Sequence, residues 1–116
     1  MKRGDIVIVD VAYVGAPGSK PRPAVVIQND VLNSAIRETI IVAITSNLSN
    51  VHQSDQLLID ISTADGAATG LSMDSAVRCN RIHTIPQSDI KRTIGTFSSA
   101  LMAKTDACLK SALGIK

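Results

Sequence analysis

Short runs of Val and Ile, each cut off by turn-forming residues, restrict this chain to a core built mainly of strands. Ile6-Val7-Ile8-Val9-Asp10-Val11 opens behind Gly4-Asp5. Ala24 to Gln28 follows a Gly/Pro/Ser-rich loop spanning Ala12 to Pro21. Thr39 to Ile44, Gln56 to Asp60 and Ser75 to Ile85 complete the series. Val and Ile are stiff at χ1 and pack well on a pleated surface, so runs of this length read as strands. None is long or uniform enough to span a membrane. The opening residues Met1-Lys2-Arg3-Gly4-Asp5 are charged and carry no signal-peptide pattern, so a cytoplasmic protein is expected.

Between the runs lie turns and caps. Asn29-Asp30 is placed to cap a short helical turn over Val31 to Ala35. Thr45 to Ser54 is polar loop, and Gly66 and Gly70 mark a turn region before Leu71 to Asp74 lead into the longest strand. Pro86 ends that strand, and a helical turn around Ser88-Asp89 is expected next. Only the tail has helical periodicity. Leu101, Thr105, Cys108, Leu109, Ala112 and Leu113 approximate one stripe, with Ser98 as cap and Gly114 beyond the end. Many short strands and one terminal helix predict a small antiparallel β-barrel closed by a C-terminal helix, in a single domain over residues 1–116.

Composition narrows the function. The chain has no Trp, one Tyr (Tyr13) and one Phe (Phe97), which excludes a base-stacking surface of the aromatic kind. Net charge is only +2, so any basic site must be local. Cys79 in a strand and Cys108 on the apolar side of a helix read as reduced core residues. His52 and His83 have no partners at metal-ligand spacing, and no metal or cofactor is expected.

Polar groups nevertheless gather at strand ends. Lys20-Pro21-Arg22-Pro23-Ala24 holds an arginine between two prolines at the mouth of an apolar strand. A guanidinium presented so stiffly suits a phosphate oxygen. Thr45-Ser46-Asn47 closes another strand and brings hydroxyls and an amide to a rim. On the long strand, strict alternation puts Arg78 and Asn80 on one face and Arg81 and His83 on the other. Cations so close together repel unless Asp60, Asp65 or Asp74 pairs with them, or an anion binds.

These blocks, in this order, resemble the MazF/PemK/Kid toxins of toxin–antitoxin pairs. The resemblance runs from Lys2-Arg3-Gly4-Asp5-Ile6 through Arg22-Pro23-Ala24-Val25-Val26-Ile27-Gln28-Asn29-Asp30 and Val42-Ala43-Ile44-Thr45-Ser46. It continues over Asp74 to Ile85 and the tail from Ile94-Gly95 to Leu113-Gly114. It implies an SH3-like barrel, assembled as a homodimer. It implies an endoribonuclease that cuts single-stranded messenger RNA without metal, leaving a 2′,3′-cyclic phosphate and a 5′-hydroxyl. An antitoxin with an acidic, disordered tail is the implied partner.

Residue by residue, the resemblance implies catalytic roles for Arg22 on the scissile phosphate, for Thr45, and for Arg78 near the leaving oxygen. Lys20, Ser46, Asn47, Asn80, Arg81 and His83 are the expected RNA-binding set. Two positions depart from the family pattern. The loop Gly15-Ala16-Pro17-Gly18-Ser19-Lys20-Pro21 lacks the family's Glu-Gln pair. Asn80 stands where members carry an acid, and an amide cannot serve as a carboxylate base. A mechanism resting on Arg22 and Thr45, or a weak enzyme that binds RNA or antitoxin, therefore follows. A gyrase-directed toxin of the same fold is the other alternative.

Overall fold

The computed structural model describes residues 1–12 and 15–116; Tyr13 and the adjoining part of the first loop lie outside the described residues. The elements in chain order are β1 (Asp5–Ala12), β2 (Ser19–Val26), α1 (Asp30–Ala35), β3 (Glu38–Thr45), β4 (Gln56–Ile59) and α2 (Ala64–Ala67). Next come β5 (Ser75–Pro86), a 3-10 turn (Gln87–Asp89), β6 (Arg92–Thr96) and α3 (Ser99–Leu113). The strands form one antiparallel six-stranded sheet in the order β4-β5-β3-β2-β1-β6, curled into a half-barrel with α3 against it.

The ladder does not close on itself. β4 and β6 remain edges, and both are short, at 4 and 5 residues. Short edge strands offer little template for another chain, so this is a different solution to the edge problem from full closure.

Both faces of the central strands are covered, which is why their sequences do not alternate with polar residues. Ile6, Val25, Val42, Ile44, Val77 and Cys79 pack with Phe97 and Leu101 on the α3 side. Val7, Val9, Ala24, Val26 and Ile41 form a second cluster on the opposite face. Ala24, Val25 and Val26 have no exposed surface at all.

The structure moves some boundaries. β2 starts at Ser19, so Lys20-Pro21-Arg22-Pro23 belongs to a strand where the sequence suggests a loop. The prolines are tolerated because of which edge they face. Val26 C=O accepts from Gly4 N–H toward β1, and Ile27 N–H donates to Ile40 C=O toward β3. Alternation therefore turns the nitrogens of Pro21 and Pro23 toward β3, whose pairing with β2 has ended at Ala24↔Ala43. No ladder bond is lost.

α2 and β6 carry no distinct signal in the sequence, where Gly66 reads only as part of a turn region. The expected turn after Asn29 is present, with Asn29 Oδ1 accepting from Leu32 N–H at 2.8 Å. α3 is capped by Ser98 and ends at Gly114 in the left-handed conformation (φ 70°). Its stripe is shifted: Leu113 is exposed, while Met102 packs against the core.

Both cysteines are free. Burial pushes the Cys79 thiol up to about 12, with the Cys108 thiol a smaller contribution, and burial also raises Cys108. The folded state thus holds Cys79 protonated. Its contribution to stability is complete below the unfolded value of 9.0 and is lost as pH rises from there toward about 12. In the native protein at neutral pH, Cys79 should resist alkylation by iodoacetamide and react only in denaturant. Mass spectrometry of the labelled peptides checks this; rapid native labelling of Cys79 would refute its burial in the core.

Candidate functional site

The site arises where two irregularities meet. The first is the parting of β2 and β3 beyond Ala24↔Ala43. The second is a bulge in β5. Val42 pairs with Ile82 and Ile44 with Val77, so residues 78–81 stand against Ala43 alone. Val77 before the bulge and Cys79 early within it point into the α3-side core, and Ile82 packs toward it afterwards. β5 thus carries three extra residues here, and an odd number reverses the alternation.

That reversal corrects the expected faces of β5. Arg78 comes to the same side as Arg81 and His83 instead of the opposite one. Together with Arg22 from β2 and Thr45 from β3 they line a cleft of about 550 Å³. Val9, Ile41 and Ala43 also line it. The cleft lies on the sheet face away from α3. Arg22 also borders a smaller depression of about 200 Å³, shared with Lys20, Ser46, Met73 and Ser75.

The cleft is electrostatically unbalanced. Among the described residues the ion pairs are Arg3–Asp106 at 2.6 Å and Lys91–Asp10 at 3.4 Å. None involves Arg22, Arg78 or Arg81. The acids considered as their partners are engaged elsewhere or stand apart. Asp60 accepts from Ser62, whose hydroxyl and N–H hold that carboxyl below its usual range. Asp74 accepts from Ile61 N–H at 2.9 Å. Asp65 has no ion pair among the described residues. Asp10 lines the cleft, but its carboxylate is matched with Lys91.

Thr45 is fixed by its own loop. Its Oγ1 accepts from Asn47 N–H at 3.1 Å, which leaves the hydroxyl proton free to donate. Asn47 Oδ1 in turn accepts from Ser49 N–H and Ser49 Oγ–H, so this amide shapes the loop and does not line the cleft. Asn80 is exposed on the bulge and borders neither depression. His83 lies opposite Ile41. Thr45 is four residues further along β3, roughly 13 Å away at strand rise. His52 is exposed on the polar loop and lies outside the cleft.

Two buried side-chain polar atoms among the described residues lack a hydrogen-bond partner: Arg78 Nε and Gln56 Oε1. Each such atom costs roughly 1–3 kcal/mol when left unpaired. Gln56 and Arg78 are cross-strand partners on β4 and β5. The sequence alone does not point to Gln56. A lone glutamine at a strand start has no distinguishing signal until its partner is known. Among the described residues no cluster of three or more His, Cys, Asp or Glu is placed to hold a metal ion, and no helix is long and apolar enough to cross a membrane.

Comparison with known proteins gives this arrangement its context. A Mycolicibacterium smegmatis protein named "Probable endoribonuclease MazF" is 33% identical over 115 residues, covering 99% of this chain and 98% of that protein. "Endoribonuclease MazF9" of Mycobacterium tuberculosis is 32% identical over 116 residues, covering 95% and 93%. A solved mycobacterial endoribonuclease in complex with its cognate antitoxin superposes with a TM-score of 0.78 at 19% identity, covering 100% of this chain and 97% of that one. The family profile described as "PemK-like, MazF-like toxin of type II toxin-antitoxin system" matches residues 2–113, and the chain belongs to that family.

Proposed function

We propose that this chain is a toxin endoribonuclease that binds single-stranded RNA across the cleft and cuts it by attack of a ribose 2′-hydroxyl on the adjacent phosphorus. One observation carries the reading: three guanidiniums, from Arg22, Arg78 and Arg81, share a cleft with no carboxylate paired to them among the described residues. Such a group of like charges is stable beside a polyanion and costly without one. The endoribonuclease names of the full-length relatives favour RNA over gyrase as the target.

The chemistry needs little machinery. The nucleophile belongs to the substrate, so no water has to be activated. The 2′-oxygen bonds to phosphorus as its proton passes to solvent, and the bond to the 5′-oxygen breaks as that oxygen takes up a proton from solvent, leaving a 2′,3′-cyclic phosphate and a 5′-hydroxyl. Charge builds on the non-bridging oxygens, where Arg22 acts as a planar two-toothed donor. Thr45 donates a hydrogen bond from its hydroxyl to the same phosphate. Arg78 faces the departing oxygen. As arginines stay charged, both serve as donors and not as bases. Arg81 and His83 lie further along the cleft, suited to the neighbouring nucleotides, and Lys20 and Ser46 border the smaller depression beside Arg22. No carboxylate base is assigned on β5, because that strand carries no Asp or Glu and Asn80 is an amide.

The same unpaired cations suit an acidic antitoxin segment, which would compete with RNA for the cleft. A homodimer and a cytoplasmic setting complete the proposal.

The test is direct. Long single-stranded RNA incubated with the purified protein in chelator should give discrete cuts with 5′-hydroxyl ends and 2′,3′-cyclic phosphates. A DNA of the same sequence should stay intact, because it lacks the nucleophile. RNA left intact by the folded protein would overturn the proposal.

A further inference from the structure

We infer that Gln56 is a positioning residue: its side-chain oxygen accepts from Arg78 Nε–H when an anion occupies the cleft, and so sets the plane of the Arg78 guanidinium. The inference rests on the proposed function only for the identity of that anion.

The argument begins with register. Gln56 pairs directly with Arg78 across β4 and β5. Directly opposed residues project to the same face, about 5 Å apart at Cβ. Leu57 and Ile59, the alternate residues of β4, pack into the α3-side core. Gln56 is therefore turned to the cleft side, beside Arg78.

The second observation is complementarity. Among the described residues, the unpartnered buried side-chain atoms are one donor, Arg78 Nε, and one acceptor, Gln56 Oε1. Each is what the other lacks. Native proteins rarely leave buried polar atoms unpaired, and exceptions gather where function needs them. A bond between the two requires only side-chain rotation, since the backbone register already aligns them.

The third is the shape of an arginine. Its terminal nitrogens form one edge and Nε with one terminal nitrogen forms another. With Nε held by Gln56, the terminal edge is left to face a phosphate oxygen. Without Gln56, the charge stays but its orientation is lost. The β4 backbone at this point is anchored from below, where the Cys108 thiol donates to Gln56 C=O at 3.7 Å.

The experiment compares Gln56→Met, which keeps length and removes the acceptor, with Gln56→Glu, which restores one. Two readouts are taken on the full chain. In cleavage of a defined RNA, Gln56→Met should lower kcat about tenfold with KM little changed, because a misaligned Arg78 loses its hydrogen bond to the departing oxygen, whose charge develops only in the transition state. Gln56→Glu should recover most of the loss, and Gln56→Met should add nothing in an Arg78→Ala background. In NMR, the Arg78 Nε–H signal should shift and exchange more slowly when a 2′-O-methyl RNA is added, and this response should vanish in Gln56→Met. Wild-type kcat in Gln56→Met together with an unchanged NMR response overturns the inference and leaves the ribonuclease reading standing. Absent cleavage by the wild-type chain overturns that reading instead. The NMR response then still decides whether Gln56 orients Arg78 on an anion.

Discussion

Arg22→Ala will lower RNA cleavage roughly a thousandfold while leaving the thermal unfolding midpoint unchanged. The activity loss follows from where the side chain stands. Arg22 lines both depressions, and its strand is stiffened by Pro21 and Pro23. Removing one well-placed donor to a developing oxyanion costs about 10²–10³-fold in other enzymes, and here the donor also carries a full charge. The stability side follows from what Arg22 does not do. It forms no ion pair among the described residues, and it adds to the repulsion among three cations. Its removal should change folding stability by less than about 0.5 kcal/mol. Arg22→Lys should fall between, because an ammonium keeps the charge and loses the planar fork. RNA binding by the alanine variant should also show a shallower salt dependence, by about 0.7 in the logarithmic slope for each phosphate no longer neutralised. Wild-type cleavage by Arg22→Ala would remove this residue from the mechanism. A large drop in the unfolding midpoint would make its role structural.

Much of this site is legible in the sequence, and the rest is hidden for identifiable reasons. Arg22, Thr45 and Arg78 belong to a wider set of polar residues at the ends or breaks of apolar runs, and the family resemblance singles them out from it. The faces of β5 are not legible. Alternation is a rule for regular strands, and nothing between Val77 and Ile82 announces a bulge, so the pattern places Arg78 away from Arg81 and His83. The start of β2 is hidden because Pro21 and Pro23 look like loop residues until the pairing of β2 with β3 is seen to end at Ala24↔Ala43. Asn47 reads as a rim amide, but its side chain closes its own turn on Ser49. Gln56 gains meaning only from its cross-strand partner. The apolar runs, the Asn29 and Ser98 caps and the Gly114 terminus are readable because each is a local preference acting within a few residues. The bulge, the register and the edge order depend on contacts between distant segments.

Gly95→Ala should destabilise the fold by more than about 3 kcal/mol, at the severe end for a single methyl group. Gly95 lies on β6, opposite Ile6 of β1. A Cβ built there would stand 2.3 Å from the Thr69 carbonyl carbon and oxygen and 2.5 Å from the Ala68 oxygen. These are backbone atoms just past α2, so no rotamer change relieves the clash. The contact is held from both sides. Thr96 N–H donates to Ala68 C=O at 3.1 Å, and the buried Thr69 hydroxyl donates to Gly66 C=O at 2.6 Å. Gly70 repeats the constraint in reverse, its added Cβ meeting the Ile94 oxygen at 2.1 Å. Admitting the methyl means prising β6 from α2, which also strains the β1–β6 ladder. Gly114→Ala is the control. It has open space around it and carries only the left-handed backbone (φ +70°), so it should cost about 1 kcal/mol. Urea unfolding of both variants measures the difference. Because β1 also pairs with the Arg22 strand, cleavage by Gly95→Ala should fall in proportion to the folded fraction and recover on cooling toward the temperature of maximum stability. A Gly95→Ala protein within about 1 kcal/mol of wild type would show that β6 and α2 do not meet backbone to backbone at this seam.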